Sequence, residues 1–274
     1  MAPTVLMLRV SGLRDQLAAI PAMRAVRRAC PDHQVILAAP NQLGPLLELS
    51  GAFDQLLPTA GLAALDWHGS RPSLAVNLHG PGPKSHRVLQ ALDPGKLVAF
   101  RNENAGTNGP DWRANERDVD RWCRLVATMP GCCPDPDEFR LPPPASTGLG
   151  PVVVLHPGAA SQSMRWSLER MARAGRWLLA QSENVLVTGS PRHRDRCARL
   201  CHLMGLSPAH DLSGRTSLIE LAEIVATCRL LVSNDTGVSH LATAFGIPSV
   251  TITGLNSPNW APRTCAPHTK IRQE

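Results

Sequence analysis

The chain opens on an apolar run, residues 4–10, of the kind that forms a strand buried on both faces of a parallel sheet. After a short polar loop, Leu17, Ile20, Met23, Ala25 and Val26 recur at helical spacing. Arg24, Arg27 and Arg28 gather toward the carboxyl end of that helix, where its dipole favours cations, and Pro31 stops it. The rhythm repeats. Strands are expected at 35–38, 74–78 and 97–100, with helices at 42–50, 84–92 and 116–128. The last of these places Val119, Trp122, Leu125 and Val126 on one face, and residues 101–114 read as a long polar loop.

Residues 142–150 break the pattern with three prolines and two glycines, which marks a linker. Strands then follow at 152–155, 185–188, 230–233 and 249–253, separated by helices at 167–181, 191–204, 217–227 and 237–245. The expected fold class is α/β, with two Rossmann-like parallel-sheet domains and a cleft between them, the GT-B architecture. The boundary read from the linker gives domains 1–147 and 148–274.

Composition narrows this picture. The 274 residues suffice for two domains, and 43% hydrophobic against 18% charged residues describes a chain able to build cores. With no Tyr and four Phe, those cores must be aliphatic. The net charge of +6 favours anionic partners, though an arginine-rich coding bias yields the same balance. Basic residues are dispersed and no aromatic stacking stripe accompanies them, so nucleic acid is not expected as a partner. The eight cysteines have no framework spacing; Cys197, Cys201 and His202 lie on one helix face without a second pair, so no metal is expected. The first residues lead directly into Val5 without a basic, leader-like start, and no stretch is long and apolar enough to span a bilayer. The reading is a cytoplasmic protein, at most in peripheral contact with the inner face of the cell membrane.

Four segments carry candidate chemistry. Ser233-Asn234-Asp235-Thr236-Gly237-Val238-Ser239-His240 leaves an apolar strand and opens a helix, so the first-turn amides can receive a phosphate while Gly237 permits close approach. The same residues also make an ordinary helix cap. His156-Pro157-Gly158-Ala159-Ala160-Ser161, followed by Arg165-Trp166, is a small-residue loop with a phosphate-pairing cation. Asp15 follows the first strand, where it serves either the helix dipole or proton abstraction. His79 and His86 flank a Gly-Pro loop after the third strand, as anion contacts or as hydrogen-bonded histidines. The P-loop, the G-x-G-x-x-G fingerprint, G-x-S-x-G and H-E-x-x-H are all missing.

Together these segments resemble glycosyltransferase family nine, the ADP-heptose:lipopolysaccharide heptosyltransferases and their relatives. The likeness runs through Leu8 to Asp15 with Ile20-Pro21-Ala22-Met23, through Asn77-Leu78-His79-Gly80 with Ser85-His86, and through 116–122. It continues in His156-Pro157-Gly158-Ala159 to Trp166. Its most specific part is Asn234-Asp235-Thr236-Gly237 with His240-Leu241-Ala242 and Gly246-Ile247-Pro248.

The resemblance implies an inverting transferase that needs no metal or cofactor and moves a heptose-like sugar from a nucleoside diphosphate, ADP by the family's example. The acceptor is a hydroxyl of a cell-envelope glycan or a secondary metabolite. Asp15 takes the place of the general base. Gly158, Ala159, Ser161, Arg165, Asp235, Thr236, Gly237 and His240 take the places of donor contacts. Glu220, rather than Glu223, falls where the ribose is held. Arg14, His79 and His86 fall on the acceptor side, so the first domain binds acceptor and the second binds donor.

The chain departs from the family at Arg14, where glycine is usual, and at Met164, where a cation is usual. Family members usually continue beyond Trp260-Ala261-Pro262 with a further strand and helices, and these are not expected here. These departures motivate an alternative, a non-catalytic nucleotide-sugar binding protein of the same fold.

Overall fold

The computed structural model describes residues 2–144, 148, 150–159, 165–253 and 268–272. These divide into two units, one running to Phe139 and the other from Arg140 onward. The changeover precedes the Pro-Gly linker because Leu141 already donates its N–H to the carbonyl of Ala244, 3.0 Å away, within the second unit.

The first unit is built on β1 (Thr4–Leu8), β2 (Gln34–Ala39), β3 (Gln55–Pro58), β4 (Leu74–Asn77) and β5 (Lys96–Val98). All pair in parallel, in the order β3-β2-β1-β4-β5. β1 lies in the middle and all five of its residues are buried, which is why it reads as an apolar run. Leu6, Leu8, Ile36, Ala38 and Ala75 share one packed face with Leu89, which belongs to α3 (Lys84–Gln90). α1 (Leu13–Ala29) packs with α4 (Asp118–Val126). α2 (Gly44–Glu48) completes the unit's helices among the described residues. β3 escapes a reading by pattern. It is a four-residue edge strand, only half-buried, and it ends on a proline, which an edge tolerates.

The second unit contains β6 (Val153–His156), α5 (Leu168–Ala180), β7 (Val185–Val187), α6 (Arg194–Met204), α7 (Leu218–Thr227), β8 (Leu230–Asn234), α8 (Gly237–Phe245), β9 (Ser249–Thr253) and β10 (His268–Arg272). Its sheet is also all-parallel, in the order β10-β9-β8-β6-β7. Val153, Leu155, Val185, Val187 and Val232 pack against Met171 and Leu178 of α5 and Cys197, Leu200 and Cys201 of α6. Burial pushes the Cys197 and Cys201 thiols up to about 12 and about 11, so both are neutral core groups.

In each sheet one pair of adjacent strands sends its connections to opposite sides: β1 and β4 in the first unit, β6 and β8 in the second. Loops at the carboxyl ends of such pairs diverge and leave a crevice, the usual ligand position in open α/β sheets.

Candidate active site

The second-unit crevice is formed by the loops after β6 and β8, whose register sets His156 beside Ser233. Asn234, fully buried at the end of β8, ties these loops together. Its Nδ2 donates to the carbonyls of Pro157 at 2.9 Å and Gly158 at 3.1 Å, while its Oδ1 accepts the Trp166 N–H at 2.9 Å. Arg196 from α6 grips the same segment, donating from Nε to Pro157 O at 2.9 Å and from Nη2 to Trp166 O at 2.5 Å. The small-residue loop is therefore held at both ends. His156 is buried with Nδ1 3.0 Å from Thr188 Oγ1, and burial lowers its pKa to about 4, so it stays neutral. Gly158 is required by close approach, since a Cβ there would lie 2.5 Å from His193 Nδ1.

α8 begins at the crevice. Thr236 is its N-cap in extended conformation, and Gly237 is its first residue. Ser239 Oγ accepts the Thr236 N–H at 3.4 Å and donates to the Thr236 carbonyl at 2.7 Å. The Ser239 amide donates to the Thr236 carbonyl at 3.1 Å, whereas those of Gly237 and Val238 have no acceptor inside the helix, and nine residues of aligned dipole add partial positive charge. Behind them His240 Nε2 lies 3.4 Å from Asp235 Oδ1, and both side chains are nearly buried.

Cations crowd the same loop. His193 is lowered first by burial, then by Arg192 and Arg165, and Arg196 is lowered first by burial and then by Arg165. Arg165 Nε is buried without a hydrogen-bond partner. Neighbouring cations of this kind, together with unpaired helix-start amides, are able to receive a polyanion. Glu220 has a local task as well. Its carboxylate accepts the Ser217 N–H at 2.7 Å and Ser217 Oγ accepts the Glu220 N–H at 3.3 Å, a capping box on α7 that holds the carboxyl below its usual range. Ser161 and Met164 lie outside the described residues.

The first-unit crevice is organised by a buried cation. Arg9 donates from Nε to the Asp15 carbonyl at 2.7 Å and from Nη1 to the carbonyl of Leu78, and its guanidinium lies 4.5 Å over the Trp122 ring. Burial lowers its pKa to about 10, partly offset by Asp15 and Asp118, so it remains charged. Gln16, fully buried, donates to the Arg9 carbonyl at 2.5 Å. Asp15 is the third residue of α1 and is only half-buried, so its carboxylate keeps a face to solvent.

The Val10 N–H donates to His79 Nδ1 at 3.2 Å, which assigns the ring proton to Nε2. Burial first, then Arg9, lowers the His79 pKa, while Asp15 raises it. The half-buried ring is thus a neutral donor beside the base candidate. Arg14, also half-buried, has its Nε buried without a hydrogen-bond partner.

His86 does not share this position. It is fully buried, with Nδ1 3.1 Å from Thr107 Oγ1, and a Cβ on Gly82 would come within 2.4 Å of its ring. Having no solvent face, it supports the Gly80–Pro83 turn from inside and cannot contact an acceptor in this structure. Arg9, Arg196 and the role of Asn234 escaped the sequence reading. Their signal was a polar group at the end of an apolar strand or on a helix's core side, where only a specific partner justifies burial.

Two Rossmann-like units, each with a crevice at its topological switch point and one with an anion-receptive helix start, define the GT-B class of nucleotide-sugar glycosyltransferases. The family model for glycosyltransferase family 9 (heptosyltransferase) matches residues 135–271, half of the chain, and the chain belongs to that family.

Among curated relatives, lipooligosaccharide heptosyltransferase 2 of Haemophilus influenzae is 27% identical over 132 residues, 47% of this chain and 38% of the relative. The matched stretch thus spans well under half of that relative's length. In fold, the chain is similar to the family 9 glycosyl transferase of Veillonella parvula, with TM-score 0.81 and 16% identity over 99% of this chain and 86% of that one. It is likewise similar to the ADP-heptose LPS heptosyltransferase II of E. coli, with TM-score 0.80 and 20% identity over 99% and 91%.

Proposed function

We propose that the protein is an inverting glycosyltransferase that moves a heptose-like sugar from an ADP-linked donor to a hydroxyl of a cell-envelope glycan or a related small molecule. The observation that carries this reading is the Asn234-stapled loop set against the start of α8, with Arg165 and Arg196 beside it. The donor diphosphate takes this place. As the bond from the anomeric carbon to the diphosphate breaks, negative charge grows on the leaving oxygen, and amides already oriented toward it stabilise that charge without reorganisation. Arg165 and Arg196 supply further positive charge, so the reaction is read as metal-independent.

On the acceptor side, Asp15 takes the proton from the attacking hydroxyl as the new bond to the anomeric carbon forms. His79, donating from Nε2, orients the acceptor, and Arg14 selects for an acidic one. The oxocarbenium-like transition state is common to glycosyl transfer. Work on an envelope glycan belongs at the inner face of the membrane, so peripheral membrane contact is part of the reading.

Calorimetric titration with ADP, UDP, GDP and thymidine diphosphate, without added metal, tests the proposal. Selective binding of ADP, abolished in Arg165→Ala, is expected. Failure of every nucleotide to bind would overturn the donor assignment. ADP binding without sugar transfer from any ADP-sugar would favour the non-catalytic alternative.

A further inference from the structure

Residues 165–204 hold eight arginines against Glu169, Glu183 and Asp195, a net charge of +5 out of the chain's +6. α5 and α6, which carry most of them, pack side by side. Leu168, Met171, Ala172, Gly175 and Leu178 turn the other face of α5 into the core. This leaves Arg170, Arg173 and Trp177 at i, i+3 and i+7 on one exposed stripe, flanked by Arg176. An open groove of about 440 Å³ runs along it, lined by Glu169, Arg170, Arg173 and Arg176.

The acids nearby are already matched. Glu169 pairs with Arg199 at 3.2 Å and Glu183 with Arg229 at 2.7 Å. Arg176 caps the end of α6 through the carbonyl of Leu203, 2.6 Å away. Arg170 and Arg173 have no acidic partner among the described residues. Beside them Trp177 is 65% exposed, one of two large apolar side chains so exposed among the described residues.

We infer that this stripe of α5 is a docking surface for an anionic lipid bilayer. Charge complementarity selects the occupant's sign, and the tryptophan selects its kind. Arginines with free forks pair with lipid phosphates. An indole set among them gains by entering the headgroup region, where its ring is shielded and its N–H stays hydrated. A nucleic acid would satisfy the arginines but leave a lone tryptophan without a series of bases to stack on. The inference deepens the membrane contact of the proposed function by naming its surface. Vesicle binding needs neither donor nor turnover, so either can fail without the other.

The test is co-sedimentation of the full chain with phosphatidylcholine vesicles, with and without phosphatidylglycerol. Binding is expected only with phosphatidylglycerol and should weaken with salt. R170E/R173E should lose at least about tenfold in affinity, and W177S several-fold. Circular dichroism and nucleotide binding of these variants should match the parent, separating lost docking from lost folding. The proposal is overturned if the parent ignores anionic vesicles, or if both variants bind like the parent. It is also overturned if duplex DNA displaces the vesicles completely and W177S has no effect, which would mark a general polyanion surface.

Discussion

The side-chain carbonyl of Asn234 accepts the backbone N–H of Trp166 at 2.9 Å, joining the end of β8 to the far end of the loop after β6. The same amide donates to Pro157 and Gly158, so one buried side chain sets both ends of the proposed diphosphate loop. Asn234→Ala should leave a backbone N–H and two carbonyls with fewer partners and cost about 1–3 kcal/mol locally. Asn234→Asp should do no better, because a carboxylate would face two carbonyl oxygens. Hydrogen exchange at the Trp166 amide should accelerate in both variants, and ADP affinity should fall. Unchanged exchange would show that Arg196 alone holds the loop.

Asp15 offers a sharper separation. Asn fits the same space at the start of α1 and leaves the Arg9 bond to the residue-15 carbonyl intact, since that bond is to the backbone. Asp15→Asn should therefore bind ADP like the parent while losing transfer by about 10²-fold or more, the usual scale of a general base. Full transfer in the variant would remove Asp15 from the mechanism.

His79 and His86 should part company on mutation. His79→Ala removes a half-exposed donor and should raise the acceptor KM with little change in stability. His86→Ala opens a hole beside Gly82 and Thr107 and should cost about 2 kcal/mol while leaving the acceptor KM unchanged in the folded fraction. Urea unfolding and acceptor kinetics on both variants would check this. A raised KM in His86→Ala alone would reverse the assignment.

The pH dependence of stability should carry the mark of His156, whose pKa burial lowers to about 4. Below the ordinary histidine value of 6.5 the unfolded chain takes up a proton that the folded chain refuses until about pH 4. The stability contributed by neutral His156 is thus complete above pH 6.5 and lost as pH falls through 4, about 3 kcal/mol for this group. His156→Asn, which keeps a partner for Thr188, should flatten that part of the profile. Urea midpoints from pH 7 to pH 4 for parent and variant would measure the difference.

The alternation of apolar runs and helical spacing was enough to define two parallel α/β units, because β1, β6 and β8 are covered on both faces and so read as continuous apolar stretches. The start of α8 was equally legible, since a strand, a cap and a first-turn glycine are neighbours in the chain. β3 and β10 were not. Edge strands have one neighbour and half-exposed or polar side chains, which leave no pattern to count.

Nothing local distinguished His79 from His86 either. That difference arises because the Val10 amide reaches one ring across 69 residues of sequence, while Thr107 and the turn at Gly82 enclose the other. The sequence by itself determined the central strands, most helices and the family, all of which depend on neighbouring residues. Only the tertiary structure decided the strand order, and with it which loops share a crevice. It also decided that Arg9 and Asn234 anchor those crevices, because a buried polar group takes its role from partners that the chain brings back only on folding.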